Sequence, residues 1–180
     1  MRSFLDVIRK TGIVLAWVAV ASSPLRADGP PAPARPVAPL SWLVGGVWTA
    51  DASKLGPGMK AIETRYRWAD NDAFIQFTTH FVMEKGTVKN YAGNFFWNPE
   101  QSALGFWYMD AANAITQGPV KLEGDTMELT FRAPDFEGKL SDLRVHVVRL
   151  TNDHYTWQLE EKAGSGWKRL AALDYLRVAG

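Results

Sequence analysis

The feature that most constrains the fold is a Gly-x-Trp opening matched by an arginine close to the end of the chain. Gly46-Val47-Trp48 begins a series of short alternating segments that ends in Asp174-Tyr175-Leu176-Arg177. A glycine lets a first strand turn sharply across the end of a barrel, and an arginine over the indole face adds a cation–π contact of roughly 0.5–2 kcal/mol. The pair therefore predicts a closed antiparallel barrel whose end is sealed by Trp48 and Arg177.

The first 27 residues have the composition of an export signal. Arg2, Arg9 and Lys10 form a basic start, residues 12–21 form a short apolar run, and Ala27 is a small residue before a predicted cut. The apolar run is too short to span a bilayer, which needs about 20 residues. We expect residues 1–27 to be a signal peptide and the protein to be periplasmic or secreted, with no membrane span.

Residues 28–39, with the sequence DGPPAPARPVAP, predict an extended spacer because they are rich in proline and alanine. The remaining residues, 40–180, have the usual size of one domain. The chain contains no cysteine, so it forms no disulfide and carries neither a lipid-modified cysteine nor a thiol nucleophile.

The charge balance argues against a nucleic-acid partner. Without residues 1–27, the chain has 16 basic and 18 acidic side chains, a net charge of −2, and its lysines and arginines do not cluster. Nucleic-acid binding requires a basic surface that neutralises phosphates. We therefore predict no nucleic-acid partner.

Hydrophobic residues alternate with period two through most of the domain. In residues 60–69, for example, Ile62, Tyr66 and Trp68 share one face, while charged residues occupy the other. Turn residues separate ten such segments, and an even meander whose first and last strands pair leaves no exposed edge. The pattern predicts an all-β fold, a single antiparallel meander β-barrel of about ten strands. A SnoaL-type cone and a START-type helix-grip fold remain alternatives.

The opening Leu40-Ser41-Trp42-Leu43-Val44-Gly45-Gly46-Val47-Trp48 resembles the leucine, glycine and tryptophan motif of lipocalin-like and nitrobindin-like proteins. Three further segments resemble a group of bacterial calycin-like domains of unknown function: Phe95-Phe96-Trp97-Asn98-Pro99, Phe106-Trp107-Tyr108-Met109-Asp110 and Gly166-Trp167. The resemblance covers residues 40–178 and implies a calycin-like barrel. Its motifs are turns and aromatic strands, so it implies no particular activity.

Neither a cofactor nor a metal is predicted. Nitrobindin-like barrels hold haem through a histidine on the final strand, but here that strand has no histidine and Arg169 stands about where the ligand is expected. The resemblance therefore does not extend to haem. The three histidines, His80, His146 and His154, lack a spacing typical of metal ligation.

Aromatic residues on the apolar faces of the strands predict a cavity. We expect it to be lined by Tyr66, Trp68, Phe77, Tyr91, Trp97, Tyr155 and Trp157, with Arg169 as its one inward charge. Aromatic walls with ring NH and OH groups suit a small apolar or aromatic ligand. A narrow barrel also fills itself with aromatic residues, so a filled core is the alternative. A one-residue bulge would invert part of the list.

Signals for catalysis are weak, because the chain has no nucleophile elbow, phosphate loop or paired-carboxylate motif. The best catalytic trio is Arg169, Tyr66 and Tyr91, but a buried Arg169 that is satisfied by Glu63, Glu160 or backbone carbonyls is the favoured alternative. The leading interpretation is an exported barrel that binds a small, largely apolar molecule. An isomerase, cyclase or lyase using the same cavity, and a structural or partner-binding barrel with a filled core, remain open. The oligomeric state is not predicted.

Overall fold

The computed structural model describes residues 35–134 and 139–179, so the predicted signal peptide and most of the spacer lie outside the described residues. A 3-10 helix, Ala38–Leu43, is followed by ten strands. The strands are β1 (Val47–Asp51), β2 (Met59–Trp68), β3 (Ile75–Met83), β4 (Gly86–Asn98), β5 (Ala103–Met109), β6 (Ile115–Glu123), β7 (Thr126–Pro134), β8 (Leu140–Arg149), β9 (His154–Ala163) and β10 (Gly166–Val178).

The strands form one closed barrel in meander order, with every neighbouring pair antiparallel and β1 paired to β10. This confirms the predicted all-β fold and its ten strands. The SnoaL and START alternatives are wrong, because both require long helices and the described part of the chain contains no α-helix. Within residues 35–134 and 139–179, no helix has the length and apolar character needed to cross a membrane.

The end of the barrel at which β1 begins and β10 ends is called the floor, and the opposite end the mouth. At the floor, Trp48 lies directly opposite Arg177, and the guanidinium carbon lies 4.5 Å from the centre of the indole ring. Trp48 is fully buried, and its indole NH donates to the Leu43 carbonyl at 2.7 Å. The predicted closure by this pair is therefore confirmed.

The 3-10 helix covers the floor. Its Leu40 and Leu43 are fully buried, and Val37, just before the helix, is 1% exposed. The sequence had placed Val37 in the spacer, since proline and alanine surround it. Val37, at the end of the proline-rich segment, is therefore part of the core, because it packs beneath the barrel.

Register decides which side chains face the interior, because directly opposed residues on neighbouring strands share a face. Three ladders contain irregularities, between Met59 and Ala61, between Thr79 and His80, and between Arg169 and Ala171. Each extra residue shifts the alternation of side chains on its strand. The last irregularity reverses one of the predicted site orientations.

Candidate functional site

A belt of inward-facing residues runs across five strands in the middle of the wall. Tyr66 lies opposite Phe77, Phe77 opposite Gly93, Gly93 opposite Tyr108, and Tyr108 opposite the buried Thr116. Because opposed residues share a face, all five positions face the interior. Aromatic rings thus occupy three of the five positions of this belt.

Gly93 is the one position of the belt without a side chain, and β4 and β5 approach each other closely there. A Cβ at Gly93 would lie 2.1 Å from the Trp107 carbonyl oxygen and 2.7 Å from the Tyr108 Cα. Distances that short are impossible, so the close approach of β4 and β5 requires glycine here.

The inner aromatic residues form three groups of rings. The floor group joins Tyr155 to Trp48 at 4.7 Å, to Tyr175 at 4.8 Å and to Trp42 at 5.6 Å. A second group contains Tyr66, Phe77 and Phe95, with centroid separations of 5.4–6.4 Å. The third group contains Phe81, Tyr91, Tyr108, Phe106 and Phe131, joined by centroid separations of 4.9–6.4 Å.

In the floor group, Trp48 and Tyr155 are 0% and 2% exposed and Tyr175 is also buried, whereas Trp42 is half-buried. Many inward side chains above this group are half-buried, among them those of Tyr66, Phe77, Phe81, Tyr91, Tyr108, Phe131, Trp157 and Leu159. Trp68 and Leu104, at the floor end, are half-buried as well. An inward side chain of a closed barrel can remain accessible only from the interior or through an opening of the wall. These inward side chains therefore keep accessible surface in the upper part of the barrel.

Hydroxyl groups lie among these rings. The phenol of Tyr66 lies beside that of Tyr155, and the phenol of Tyr175 lies beside the Thr64 hydroxyl. The Thr64 and Thr79 hydroxyls are 2.9 Å apart, in hydrogen-bond contact. The interior is thus apolar in its rings and polar at a few fixed points, which is the usual composition of a small-molecule site.

Burial keeps these phenols neutral. Desolvation raises the pKa of Tyr66 from its ordinary value of 10.0 to about 12. Burial also raises the pKa of Tyr155 and of Tyr175. A phenol with a raised pKa donates and accepts hydrogen bonds at neutral pH but is a poor general base, because its ionised form is rare there.

The structure brings together most of the predicted site residues. Tyr66 and Phe77 belong to the belt, and Tyr91, opposite the buried Thr79, also faces inward. Trp157 faces inward between Val147 and Leu173, both buried. Tyr155 lies lower, in the floor group.

Two predicted tryptophans lie at the floor end. Trp68 is opposite the buried Ile75 and packs against the core there. Trp97 lines a separate groove of about 370 Å³ beside the start of the described chain, with Arg35, Asp72 and Phe74 among its other lining residues. Trp97 thus lies apart from the belt.

The predicted inward orientation of Arg169 is wrong. Arg169 is exposed and lies opposite Glu160, which forms a salt bridge with Arg144 at 2.6 Å on the outer face. The irregularity between Arg169 and Ala171 is the physical reason, because the added residue moves Arg169 to the other side of β10. The catalytic trio of Arg169, Tyr66 and Tyr91 is therefore not assembled.

Arg169 was predicted to be the inward charge of the cavity. In the structure, Glu161 is a charged residue on the inner face near the mouth. It is half-buried, lies opposite Leu143, and accepts a hydrogen bond of 2.7 Å from the Ser141 hydroxyl. Lys168 is directly opposite Glu161 on β10. The charged groups at this part of the mouth are thus a carboxylate and a lysine.

Sequence reasoning missed five aromatic residues of the interior: Phe81, Phe95, Phe106, Tyr108 and Phe131. Their alternation was visible, since Phe106 and Tyr108 are two apart and share a face. The sequence does not show the strand register that brings these rings of β5 and β7 into contact with one another and Tyr108 into contact with Tyr91. Among the described residues, no three His, Cys, Asp or Glu side chains converge as a metal site would require.

Comparison with known proteins adds little to this description. No family model matches the chain, and no curated protein matches it. Among solved structures, the chain resembles the crystal structure of Rv2717c from M. tuberculosis, with a TM-score of 0.48 and 15% sequence identity over 84% of this chain and 99% of that one. The barrel architecture therefore rests on the strand register of the chain itself.

Proposed function

We propose that this barrel binds a small, flat and largely apolar molecule in the upper part of its interior. The observation that carries the proposal is the half-buried state of inward aromatic side chains in a closed barrel, above the buried Trp48 and Tyr155 of the floor group. A core that filled itself would bury Tyr66, Phe77 and Tyr108 as completely as it buries Trp48.

The polar points of the interior suit a ligand with one or two hydrogen-bonding groups. The phenol of Tyr66 and the hydroxyls of Thr64 and Thr79 can orient such groups without carrying charge. Because burial keeps the phenol of Tyr66 neutral, it serves to orient a ligand and is a poor general base at neutral pH.

The remaining parts of the proposal concern family and location. The Gly46-Val47-Trp48 opening and the arginine on the last strand favour a calycin-like barrel. The composition of residues 1–27 favours cleavage after Ala27 and a periplasmic or secreted protein.

Titration with Nile red, an uncharged flat dye that fluoresces in apolar surroundings, tests the binding function. We expect saturable binding that Phe77→Ala weakens by roughly tenfold, since a buried aromatic contact contributes about 1–3 kcal/mol. Phe96→Ala is the matched control, because Phe96 is also half-buried but its ring covers Gly105 on the outer face. Equal weakening by both variants, or no saturable binding by the folded protein, would contradict the proposal.

A further inference from the structure

The ladder between β6 and β7 ends halfway along the two strands. Both strands have nine residues, yet only four register pairs join them, from Glu123 opposite Thr126 to Val120 opposite Leu129. Residues 115–119 of β6 remain paired with β5, and residues 130–134 of β7 remain paired with β8. No register pair joins these two halves to each other, and this stretch is called the seam.

Two residues of β6 account for the interruption. Pro119, next to the last pair, has no N–H to donate to a neighbouring strand. A Cβ at the adjacent Gly118 would lie 1.9 Å from the Thr130 carbonyl oxygen, so the backbones touch here without a regular ladder. The ladder of the barrel wall is therefore interrupted along the seam, on the side of the mouth.

A groove of about 580 Å³ lies on the seam. Its lining includes residues from both faces of the wall: Phe131 and Leu143 lie opposite each other on the inner face, whereas Arg132 and Asp142 lie opposite each other on the outer face. A groove that touches both faces reaches into the wall between the strands. Its volume is in the range of small-molecule sites, about 300–1,000 Å³.

The two ends of the groove differ in chemistry. At the inner end, Phe131 is half-buried and its ring lies 5.7 Å from that of Phe106 and 6.4 Å from that of Tyr108, so it joins the aromatic interior. At the outer rim, Arg132 and Asp142 form a salt bridge of 3.2 Å, and the exposed Lys162 adds a positive charge. The groove thus has Phe131 at its inner end and an outer rim whose three charged residues, Arg132, Lys162 and Asp142, have a net charge of +1.

We propose that the seam is a binding groove and lateral entrance for an anionic amphiphile, which passes its apolar part beside Phe131 and keeps its charged end near Lys162. This inference rests on the proposed binding function and gives it an entry route and a ligand class. Phe131 fills the inner end of the groove, and its size decides how readily a ligand passes. The proposed occupant therefore has an apolar body and a single negative charge at one end.

A steric plug tests the entrance. The chain has no cysteine, so Gln117→Cys, at an exposed position of the groove, can be labelled uniquely with a bulky maleimide. We expect the label to slow the association of cis-parinaric acid by tenfold or more, within the roughly 1–3 decades over which such rates vary. Arg65→Cys, exposed on the outer face of β2 and labelled in the same way, is the matched control and leaves the rate unchanged.

Substitutions of Phe131, at the inner end of the groove, test whether its side chain limits the passage of a ligand. Phe131→Leu should speed association and Phe131→Trp should slow it, each by roughly threefold or more. Phe77→Leu is the control, because Phe77 is equally half-buried and touches two rings but lies away from the seam. We expect Phe77→Leu to change the dissociation rate and leave the association rate unaltered.

A comparison of cis-parinaric acid with its uncharged methyl ester tests whether the groove recognises the negative charge of the ligand. Lys162→Gln should weaken binding of the acid about two- to fivefold, as expected for an exposed ion pair, and leave the ester unaffected. Lys60→Gln, an exposed lysine on β2, should affect neither. An equal effect on acid and ester would overturn the anionic class.

An association rate that is unchanged by the Gln117 label, in protein that still binds cis-parinaric acid, would overturn the entrance. If Nile red binds and cis-parinaric acid does not, the seam proposal fails while the proposed binding function stands. If neither binds to the folded protein, both fail. The two proposals are therefore separately falsifiable.

Discussion

Arg177 lies over the indole of Trp48, directly opposite it in the ladder that joins the first and last strands, with 4.5 Å between the guanidinium carbon and the ring centre. The same guanidinium donates to the carbonyls of Trp42, of Val44 at 3.0 Å and of Asn152 at 2.8 Å. One side chain therefore ties the 3-10 helix, the turn after β8 and both terminal strands to the barrel floor.

Trp48→Ala should destabilise the protein by about 3–5 kcal/mol, because it removes a fully buried aromatic residue and the hydrogen bond to Leu43. Urea unfolding followed by far-UV circular dichroism measures the loss. Trp107→Ala, a half-buried tryptophan on the outer face of β5, is the control and should cost less. Similar costs for both variants would show that the floor is not the main closure of the barrel.

Gly93→Ala should destabilise the protein by roughly 1–3 kcal/mol, since its Cβ meets the backbone of β5 at 2.1 Å. Gly56→Ala is the control, because a Cβ there meets nothing within 4 Å and the expected change is about 0.5 kcal/mol or less. Equilibrium unfolding of both variants checks the difference. A neutral Gly93→Ala would mean that β4 and β5 can separate locally without loss.

Alternation and turn residues were sufficient to predict the ten strands and the pairing of Trp48 with Arg177. They were insufficient for Arg169, because the irregularity before Ala171 depends on how β9 and β10 pack and leaves no local signal in Trp167-Lys168-Arg169-Leu170-Ala171. The seam was unpredicted for a similar reason. Gly118-Pro119 is visible in the sequence, but only the register shows that β7 is the strand it fails to pair with.

N-terminal sequencing of the exported protein should show Asp28 as the first residue, since the basic start, the short apolar run and Ala27 together resemble a cleaved signal. Ala27→Asp should block cleavage and leave a larger precursor, because the residue before the cut must be small. Soluble cytoplasmic protein that retains residues 1–27 would contradict both the cleavage site and the proposed location.

Arg169→Met should leave the affinity for carboxylate ligands unchanged, because Arg169 is exposed and opposite Glu160 on the outer face. Glu161→Gln should instead strengthen the binding of cis-parinaric acid relative to its methyl ester by about two- to fivefold, since it removes a negative charge from the inner face near the mouth. Fluorescence titration of both probes distinguishes these outcomes. Selective loss of acid binding by Arg169→Met would mean that the side chain reaches the interior after all.

Alkaline pH should destabilise the barrel through its buried phenols. The pKa of Tyr66 is raised from 10.0 to about 12 in the folded state by burial, so the neutral phenol is favoured by folding. This contribution is fully present below pH 10.0 and is lost as the pH rises toward about 12, because the unfolded protein ionises first. A shift of this size corresponds to about 2–3 kcal/mol.

The free energy of unfolding, measured with urea between neutral pH and the onset of alkaline unfolding, should therefore fall less steeply for Tyr66→Phe than for the unmodified protein. At neutral pH the same variant should cost about 0.5–1.5 kcal/mol, since it removes the hydroxyl group that lies beside Tyr155. Identical slopes above pH 10.0 would show that folding does not raise the pKa of Tyr66.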